Sequence, residues 1–411
     1  MTLHKILLLG ILTNFGNLVN YLFQFMAART MSVSDYGAFN ALYAMIILII
    51  TPLPILEMTI AKIIVGLKGE RIPLKKIEIF FFKKILRWSF FFWCIGAIAC
   101  PWLKSYFHLE SGLAVYFVMC QMGLLLLLPS LTGILQGLTL YTTLCVVWCL
   151  LNLGRILAGG LLIVLYGRFS VLGAHATMFF GLILSFALSF VILERQIGRE
   201  KNNYYESQNL LKLRKKFRGE FSGTFPVLAL YYITIAFLLN VNIVIARHYL
   251  ALEDAGLYAV AAIIGRIAYY LPGILVSVLF SETAGQASRN TILKLGLVAG
   301  LASGLFGLIC WFWPELLIDL LIGEKYAGAA SALRIIAPGM SFLAVANLFF
   351  IYFLGREHYT FLYTFIPCSI LVVVLILLKF HTTSLEIATG MTGGAFGCLL
   401  LALVFWRMEV V

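Results

Sequence analysis

The sequence predicts an all-α polytopic membrane protein with about 12 transmembrane helices, arranged as two pseudo-symmetric six-helix bundles. Hydrophobic residues make up 62% of its 411 positions, charged residues make up only 12%, and the mean hydropathy is +1.00. A soluble domain does not combine so much apolar surface with so few charges, so this composition indicates helices that cross a membrane. The division into two bundles follows from patterns that recur about half a chain apart, which indicates an internal duplication.

The clearest repeated pattern is a short turn between two apolar runs. It consists of Arg, a short gap and then Asp-x-Gly-x-[Phe/Tyr], and it covers Arg29, Asp35 and Gly37 in the first half and Arg247, Asp254 and Gly256 in the second. Asp at such a turn is expected to cap the following helix, and Gly is expected to allow close approach of the backbone. A second pattern, [Leu/Phe]-x-Gly-x-x-x-Tyr-Thr, occupies 135–142 and 353–360 at nearly the same offset.

Apolar runs long enough to cross the hydrocarbon core, about 20 residues each, divide the chain. The predicted spans are 6–28, 38–66, 79–103, 113–139, 142–166, 171–193, 221–246, 256–281, 292–322, 331–354, 359–380 and 385–406. Six of them fall in each half. We therefore expect an N-terminal six-helix bundle at 1–200, a basic cytoplasmic linker at 201–218 and a C-terminal six-helix bundle at 219–411.

The distribution of Lys and Arg predicts the orientation. If the N-terminus is cytoplasmic, most of the 30 Lys and Arg residues fall in inner loops, as the positive-inside rule requires, and both termini are cytoplasmic. This arrangement explains the net charge of +12 without a nucleic-acid partner. The basic link at 195–218 is partly amphipathic. Either it lies on the anionic inner leaflet or it is a plain positive-inside linker.

The first span carries four amide side chains at helical spacing. Intervals of three, three and four residues place them on one face, and they are Asn14, Asn17, Asn20 and Gln24. The seventh span echoes them with Asn240 and Asn242. Lipid cannot satisfy amides. These faces therefore either line a hydrophilic cavity, where the amides bind substrate, or hydrogen-bond neighbouring helices as part of the packing.

Two arginines inside the spans are further candidates for substrate binding. Arg155 lies near the middle of the fifth span, and Asn152, one turn before it on the same face, is expected to be its partner. Arg266 lies in the eighth span. Each charge at the membrane centre costs about 2.5–3.5 kcal/mol on insertion scales. Either these arginines bind an anionic group in a shared cavity, for which the planar guanidinium is suited, or a buried acid or helix-end carbonyls neutralise them.

Glu57 and Lys62 lie toward the inner end of the second span. Lys62 is a candidate for substrate contact, and the alternatives are that it snorkels to the interface or pairs with Glu57. Glu57 is the only acid well inside a span of the first half, which makes it the candidate for coupling transport to an ion.

The sequence lacks the motifs of nucleotide-binding proteins, serine hydrolases and zinc peptidases. It contains no Walker A sequence, no nucleophile elbow and no HExxH. The eight cysteines form no CxxC and no cluster with histidine. We therefore expect no enzyme activity, no cofactor, no metal site and no disulfide framework.

Several segments together resemble one family of membrane proteins. They are Arg-x5-Asp35-Tyr36-Gly37-Ala38-Phe39, Gly133-Ile-Leu-Gln136-Gly137-x3-Tyr141 leading to Arg155, Gly173-Ala174, Ala332-Leu333-Arg334-Ile335 and Leu354-Gly355-Arg356. In these segments the chain resembles the polysaccharide flippases of the multidrug/oligosaccharidyl-lipid/polysaccharide exporter superfamily. The likeness is greatest to Wzx-type flippases of O-antigen and capsule units, and it covers nearly the whole chain.

The resemblance implies a V-shaped pair of six-helix bundles around a central cationic cavity. It implies that undecaprenyl-diphosphate-linked oligosaccharide moves from the inner to the outer leaflet of a bacterial plasma (inner) membrane, as lipopolysaccharide or capsule synthesis requires. The implied partners are this lipid-linked substrate, membrane lipids, a polysaccharide polymerase and a chain-length regulator. No strict family motif assigns the basic cavity residues, so Arg155 and Arg266 rest on the present sequence.

Two other functions remain open from the sequence. A proton- or sodium-coupled drug or cation antiporter of the same superfamily would share the fold and the repeat, with acidic residues such as Glu57 in its cavity. A membrane enzyme or scaffold of polysaccharide assembly would instead need a cluster of His, Asp or Glu on one membrane face, which the sequence does not show.

Overall fold

The protein is almost entirely helical over the residues that the computed structural model describes. These are 3–67, 73–167, 169–198, 208–223, 225–273 and 289–408, without the side chains of 3–15, 17, 208–212 and 289–292. The helices are α1 Leu3–Thr30, α2 Val33–Ile50, α3 Leu53–Val65, α4 Leu74–Tyr106, α5 Leu113–Gly137, α6 Tyr141–Tyr166, α7 Val171–Ile197, α8 Gln208–Ser222, α9 Phe225–Tyr249, α10 Leu252–Tyr270, α11 Arg289–Phe312, α12 Pro314–Leu321, a 3-10 helix Glu324–Ala329, α13 Ala330–Gly355, α14 Leu362–Lys379 and α15 Ser384–Met408.

Ten segments of the described chain are long and apolar enough to cross a membrane, which confirms a multi-pass, all-α membrane protein. They correspond to ten of the twelve predicted spans. The predicted span 6–28 matches α1, whose side chains are only partly among the described residues. The predicted span 256–281 begins in α10 and continues beyond the described residues. These two spans stay predictions.

Proline changes the boundaries of two predicted spans. The span 38–66 is broken into α2 and α3 at Thr51 and Pro52, and Pro52 occupies the N-cap of α3. The span 292–322 was predicted as one helix, but α11 ends at Phe312 and Pro314 begins α12. Proline has no N–H and its ring collides with the carbonyl four residues earlier, so it fits a helix start, as Pro52 and Pro314 do. Four other prolines lie inside continuous helices, namely Pro101, Pro129, Pro338 and Pro367.

The chain forms two compact units. The first unit comprises Met1–Thr30 and Ile46–Ile233, and the second comprises Met31–Met45 and Thr234–Val411. The predicted division at 1–200, 201–218 and 219–411 stays a prediction.

The core of the first unit joins α3, α4, α5 and the linker helix α8. Phe81, Leu131 and the α8 residue Leu213 are fully buried there, and Phe217 of α8 is 5% exposed. The basic link, read from the sequence as one soluble segment, thus contains a helix that packs against α3. Leu213 and Phe217 lie one helical turn apart and therefore share one face of α8, and this face is buried in the core.

In the second unit the central helix is α13, which packs against α10, α11 and α15. Most of its side chains are buried. At Gly339 a Cβ would lie 2.6 Å from Thr392 Oγ1, so only glycine permits this approach of α15. The Thr392 hydroxyl donates to the Ile335 carbonyl at 2.8 Å, which satisfies this polar group within the helix crossing.

The second repeated pattern produces the same helix end in both halves. In the first copy the N–H of Leu140 donates to the Leu135 carbonyl at 3.0 Å, and in the second the N–H of His358 donates to the Phe353 carbonyl at 2.9 Å. The residue before each donor has a positive φ, 63° and 60° respectively. This is the hydrogen bonding of a Schellman-type helix end. Two distant segments therefore share one local fold, as the duplication predicts.

Candidate functional site

Arg155 is buried in the first unit, where α6 packs against α1. Its side chain is 4% exposed, and the guanidinium carbon lies 5.4 Å from the centre of the Phe23 ring on α1. The guanidinium also donates to Asn152 Oδ1, one turn earlier on α6. The predicted pairing of Asn152 with Arg155 is thus present as a hydrogen bond. An aromatic ring face attracts a cation and offsets part of the cost of removing the guanidinium from water.

The amide face of α1 approaches this arginine only in part within the described residues. Gln24, which follows Phe23, is buried, and Asn20 is half-buried. A Cβ on Gly16 would lie 3.1 Å from Asn152 Nδ2, so α1 also passes close to the amide that holds Arg155. The side chains of Asn14 and Asn17, predicted to continue the same face, lie outside the described residues.

A close helix crossing fixes the position of α6. A Cβ on Gly181 of α7 would lie 2.5 Å from the Leu151 carbonyl oxygen and 3.0 Å from the backbone nitrogen of Arg155. The hydroxyl of Ser185 donates to the Val147 carbonyl at 2.9 Å across the same interface. Small residues and hydroxyls of this kind hold helices together in membranes, and here they place the backbone of Arg155 directly against α7.

Arg266 is buried in the second unit, 6% exposed, and binds a neutral amide on the neighbouring helix. Its Nη1 donates to Asn240 Oδ1 on α9 at 2.7 Å, and Asn240 Nδ2 donates to the Ala236 carbonyl at 2.8 Å. Within the described chain Arg266 forms no ion pair, and its Nε donor has no hydrogen-bond partner. Asn240 therefore orients the arginine without neutralising its charge.

A second amide lies in the same region of α9. Asn242 Nδ2 donates to the Tyr258 hydroxyl at 3.1 Å, and both residues are fully buried. The Tyr258 hydroxyl lies within electrostatic range of Arg266. Asn242 Oδ1 has no partner among the residues described. The predicted residues Arg266 and Asn242 thus lie in one polar region of α9 and α10.

Glycine also precedes the second arginine. A Cβ on Gly265 would lie 2.9 Å from Ile336 Cγ2 on α13. Arg155 likewise follows Gly154, whose Cβ would lie 3.0 Å from the Gly181 Cα. Both arginines therefore extend from helices that are packed closely against a neighbour at the preceding residue.

Glu57 and Lys62 lie on α3 but have separate partners. Glu57 is buried against α5, with Thr132 as a hydrogen-bond partner. Lys62 does not pair with Glu57 but forms a 2.8 Å ion pair with Glu220 of α8, and its side chain is 65% exposed. The structure thus places Lys62 at the linker helix, and its predicted contact with substrate stays a prediction.

The two copies of the repeated turn pack against each other within the second unit. A Cβ on Gly37 would lie 2.9 Å from the Gly256 nitrogen, and a Cβ on Gly256 would lie 2.0 Å from the Val33 carbonyl oxygen. These glycines therefore mark the point where α2 and α10 cross. Lys325 Nζ donates to the Met31 carbonyl at 2.6 Å and holds the chain just before α2.

The polar residues of the two turns differ more than the pattern suggested. Arg247 is buried and donates to the Ser34 carbonyl at 3.1 Å, whereas its equivalent Arg29 is exposed in the last turn of α1. The prediction that aspartate caps the helix after each turn was wrong. Ser32 caps α2 by accepting the N–H of Asp35 at 3.1 Å.

Both repeated aspartates instead lie in the first helical turn, Asp35 in α2 and Asp254 in α10. The N-cap of α10 is Ala251, which makes no side-chain cap. A carboxylate in the first turn still interacts favourably with the positive end of the helix dipole. The position of these aspartates is therefore explained by the dipole and not by capping.

The sequence interpretation missed two aromatic residues of these sites, Phe23 beside Arg155 and Tyr258, which accepts a hydrogen bond from Asn242. Tyr258 is the aromatic residue that ends the second copy of the repeated turn, so a signal for it was present. Phe23 lies beside Gln24 but carries no pattern of its own. Among the residues described, no group of three or more His, Cys, Asp or Glu could hold a metal ion.

The fold is shared with solved membrane transporters. An inward-facing multidrug-resistance MATE transporter of the MOP superfamily matches with a TM-score of 0.71 and 14% identity, over 96% of this chain and 94% of that chain. The lipid II flippase MurJ in an inward closed conformation matches with a TM-score of 0.70 and 13% identity, over 98% of this chain and 87% of that chain. The MATE transporter ClbM in complex with Rb+ matches with a TM-score of 0.56 and 15% identity, over 99% of this chain and 97% of that chain.

These identities show the fold alone. No family model matches the sequence, and no curated protein matches it significantly. The chain therefore has the fold of these solved transporters, one of which is described as a MATE transporter of the MOP superfamily and another as a lipid II flippase.

Proposed function

We propose that this protein is a flippase that carries undecaprenyl-diphosphate-linked oligosaccharide units across the bacterial plasma membrane by alternating access. The observation that carries the proposal is the buried Arg266, whose partner in the described chain is the neutral Asn240. The fold supports it, because one protein with this fold is a lipid II flippase.

The proposed contribution of Arg266 to substrate binding is electrostatic. A charge within a membrane costs about 2.5–3.5 kcal/mol on insertion scales, and a neutral amide recovers only part of that cost. A buried cation without a carboxylate partner is complementary to an anion. The guanidinium fork matches phosphate oxygens in two parallel hydrogen bonds, and the Nε donor of Arg266 is without a partner in the described chain. A diphosphate headgroup fits this chemistry.

Arg155 provides a second membrane-embedded cation, in the first unit. It is supported by Phe23 and Asn152, and the amides of Asn20 and Gln24 lie on the helix that packs against it. We infer that these amides hydrogen-bond sugar hydroxyls, while the prenyl chain stays in lipid. Lys62 is exposed at the linker helix and is a candidate for the first contact with the headgroup.

The proposed setting follows from the positive-inside rule and the resemblance to O-antigen and capsule flippases. The protein lies in the bacterial inner membrane with both termini cytoplasmic, and it passes its product to a polysaccharide polymerase and a chain-length regulator. Moving two negative charges outward across 100 mV releases about 4–5 kcal/mol, since each charge contributes about 2.3 kcal/mol. Transport in this direction is therefore favoured by the membrane potential.

The second candidate is an ion-coupled drug or cation antiporter, and Glu57 favours it. This carboxyl group is buried against α5 beside Thr132, as a proton-exchanging acid would be. Several proteins with the same fold are MATE transporters, and one was solved with Rb+.

The experiment that tests the proposal is a flipping assay in proteoliposomes. A fluorescent undecaprenyl-diphosphate-linked oligosaccharide is added, and a membrane-impermeant reductant bleaches the label on the outer face. Wild type should render the inner-leaflet label accessible. Arg266→Gln should lower the initial rate about 10- to 100-fold, since a hydrogen bond to a charged group contributes about 1.5–3 kcal/mol. Arg155→Gln should lower it by about tenfold.

Arg334→Gln is the matched control, because Arg334 lies in the second unit but is 44% exposed and paired with Glu315. It should retain the wild-type rate. Equal rates in wild type and in protein-free vesicles would remove the flippase proposal. If proton-driven efflux of a cationic dye were present and Glu57→Gln abolished it, the antiporter would replace the flippase.

A further inference from the structure

The linker helix α8 and the beginning of α4 enclose a cationic groove in the first unit. The groove has a volume of about 940 Å³. Its charged lining consists of six cations, Lys76, Lys83, Lys84, Arg87, Arg214 and Arg218. They come from two segments more than a hundred positions apart, which the fold brings together.

Aromatic rings form the floor of the groove. Phe217 and Phe221 of α8 stack with their ring centres 4.6 Å apart, and Trp88 of α4 meets Phe221 edge-on at 6.3 Å. Lys84 Nζ lies 3.8 Å from the centre of the Phe217 ring, which holds the ammonium group at the wall by a cation–π contact. The groove is therefore a built surface and not a set of independent flexible side chains.

No carboxylate is part of the lining among the described residues. The neighbouring acids have other partners. Glu220 pairs with Lys62, and Glu78 and Glu194 both pair with Lys75. Arg214 lies within electrostatic range of Lys84 and repels it. An anion in the groove would relieve this repulsion and would pair with several cations at once.

The groove lies at the height of lipid headgroups. Helix α4 has 33 residues and is about 50 Å long at about 1.5 Å per residue, whereas the hydrocarbon core is about 30 Å thick. We therefore expect one end of α4 to extend beyond the hydrocarbon core. The lysines and arginines of 75–87 mark the end that leaves it. Trp88 follows them, as expected for an aromatic residue at the membrane interface.

We propose that this groove binds the phosphate headgroup of an anionic glycerophospholipid, such as phosphatidylglycerol, from the surrounding leaflet. The cations bind the phosphate, the aromatic floor contacts the glycerol and the first methylenes, and the acyl chains remain in the bilayer beside α4. A lipid at this place bridges α4 to α8 and stabilises the docked position of the linker helix. The inference does not depend on what the protein transports.

A general attraction of basic loops to anionic membranes is the alternative that the experiment must separate. Such attraction depends on the number of cations and not on their position. Lys83 and Lys215 make the distinction possible, since both are exposed lysines of the first unit but only Lys83 lines the groove. Lys83→Gln and Lys215→Gln remove the same charge with the same change of side chain.

The experiment uses purified, delipidated full-length protein in a neutral detergent, and native mass spectrometry measures bound lipid. Phosphatidylglycerol, phosphatidylcholine, inorganic phosphate and the lipid-linked diphosphate are titrated separately. We expect phosphatidylglycerol to bind in preference to phosphatidylcholine, and millimolar inorganic phosphate not to displace it. Lys83→Gln should weaken phosphatidylglycerol binding about fivefold and Lys83→Gln/Arg214→Gln about thirtyfold, at about 1 kcal/mol per cation. Lys215→Gln should change it less than about twofold.

Four results would overturn the proposal. Equal losses in Lys83→Gln and Lys215→Gln would indicate diffuse attraction. Equal affinity for the two phospholipids, or displacement by inorganic phosphate, would exclude recognition of an anionic lipid. Binding of the lipid-linked diphosphate alone would assign the groove to the transported substrate. Arg87→Gln, also exposed in the groove, repeats the comparison if Lys83→Gln lowers the melting temperature.

Discussion

Arg155 in the first unit and Arg266 in the second both follow a glycine in a closely packed helix, but their guanidinium groups are supported in different ways. Arg155 bonds an amide three residues earlier on its own helix and lies over the Phe23 ring of α1. Arg266 bonds an amide on a different helix, and Asn240 lies 26 residues away in the chain. The neutral groups named here therefore support the two arginines from different parts of the fold.

This difference in support distinguishes a contact that stabilises the fold from one that mainly prepares a side chain to bind a ligand. The contact of Arg266 with Asn240 joins α9 to α10, so its loss should loosen a helix pair. The bond of Arg155 to Asn152 lies within one helical turn and should mainly orient the side chain. We therefore expect the melting temperature to respond more to changes around Arg266 than to changes around Arg155.

Asn240→Leu should have the largest effect on stability. It leaves the Arg266 guanidinium buried without its acceptor, and a hydrogen bond to a charged group contributes about 1.5–3 kcal/mol. The melting temperature in detergent measures the loss. Asn242→Leu is the matched control, because Asn242 is equally buried on α9 but bonds the neutral Tyr258 hydroxyl. It should cost about 0.5–1.5 kcal/mol. Equal losses in the two variants would show that the charge of Arg266 is unimportant here.

Gly181→Ala should destabilise the first unit by about 1–3 kcal/mol, the usual cost of overpacking. The added Cβ would lie 2.5 Å from the Leu151 carbonyl oxygen, and backbone cannot move aside easily. Gly265→Ala meets a side-chain methyl of Ile336 at 2.9 Å and should cost less. Gly160→Ala, with nothing within 4 Å, is the control and should not lower the melting temperature. A loss in Gly160→Ala as large as that in Gly181→Ala would contradict the close crossing.

The cation–π contact of Arg155 should contribute about 0.5–2 kcal/mol. A double-mutant cycle of Phe23→Leu and Arg155→Met measures it, because the cycle removes the packing change that Phe23→Leu causes alone. We expect the double variant to be more stable than the sum of the single losses predicts. Additive losses would mean that the ring and the guanidinium do not interact.

Asn152→Ala should have the smallest effect, about 0.5–1.5 kcal/mol. Its hydrogen bond to Arg155 is local, so helix packing should survive. If Arg155 binds a diphosphate, the flipping rate should fall more than the melting temperature implies. A rate that follows stability alone would reduce Asn152 to a structural residue.

The sequence predicted many features that depend on neighbouring positions. Helical spacing predicted that Asn152 meets Arg155, and the duplicated pattern at 135–142 and 353–360 predicted one shared local structure. The sequence did not predict contacts that depend on which helices pack together. One example is the hydrogen bond from Arg266 to Asn240, and another is the packing of α8 through Leu213 and Phe217.

One local feature was also predicted incorrectly. Aspartate and serine both favour the N-cap, and the choice between them depends on the residue at which α2 begins. The helix begins at Val33, so Ser32 becomes the cap and Asp35 enters the first turn. The length of an apolar run does not define a helix start to within a residue.

The sequence by itself determined the all-helical membrane fold, the duplication and the presence of two arginines within apolar spans. Composition, run length and the period of 3.6 residues per turn are properties of local order and need no packing. Only the tertiary structure decided that Gly37 meets Gly256, that Asn240 accepts from Arg266, and that α4 and α8 form one cationic groove. These contacts join distant positions, and close packing of helices, with the need to satisfy every buried polar group, selects among the pairings that the sequence allows.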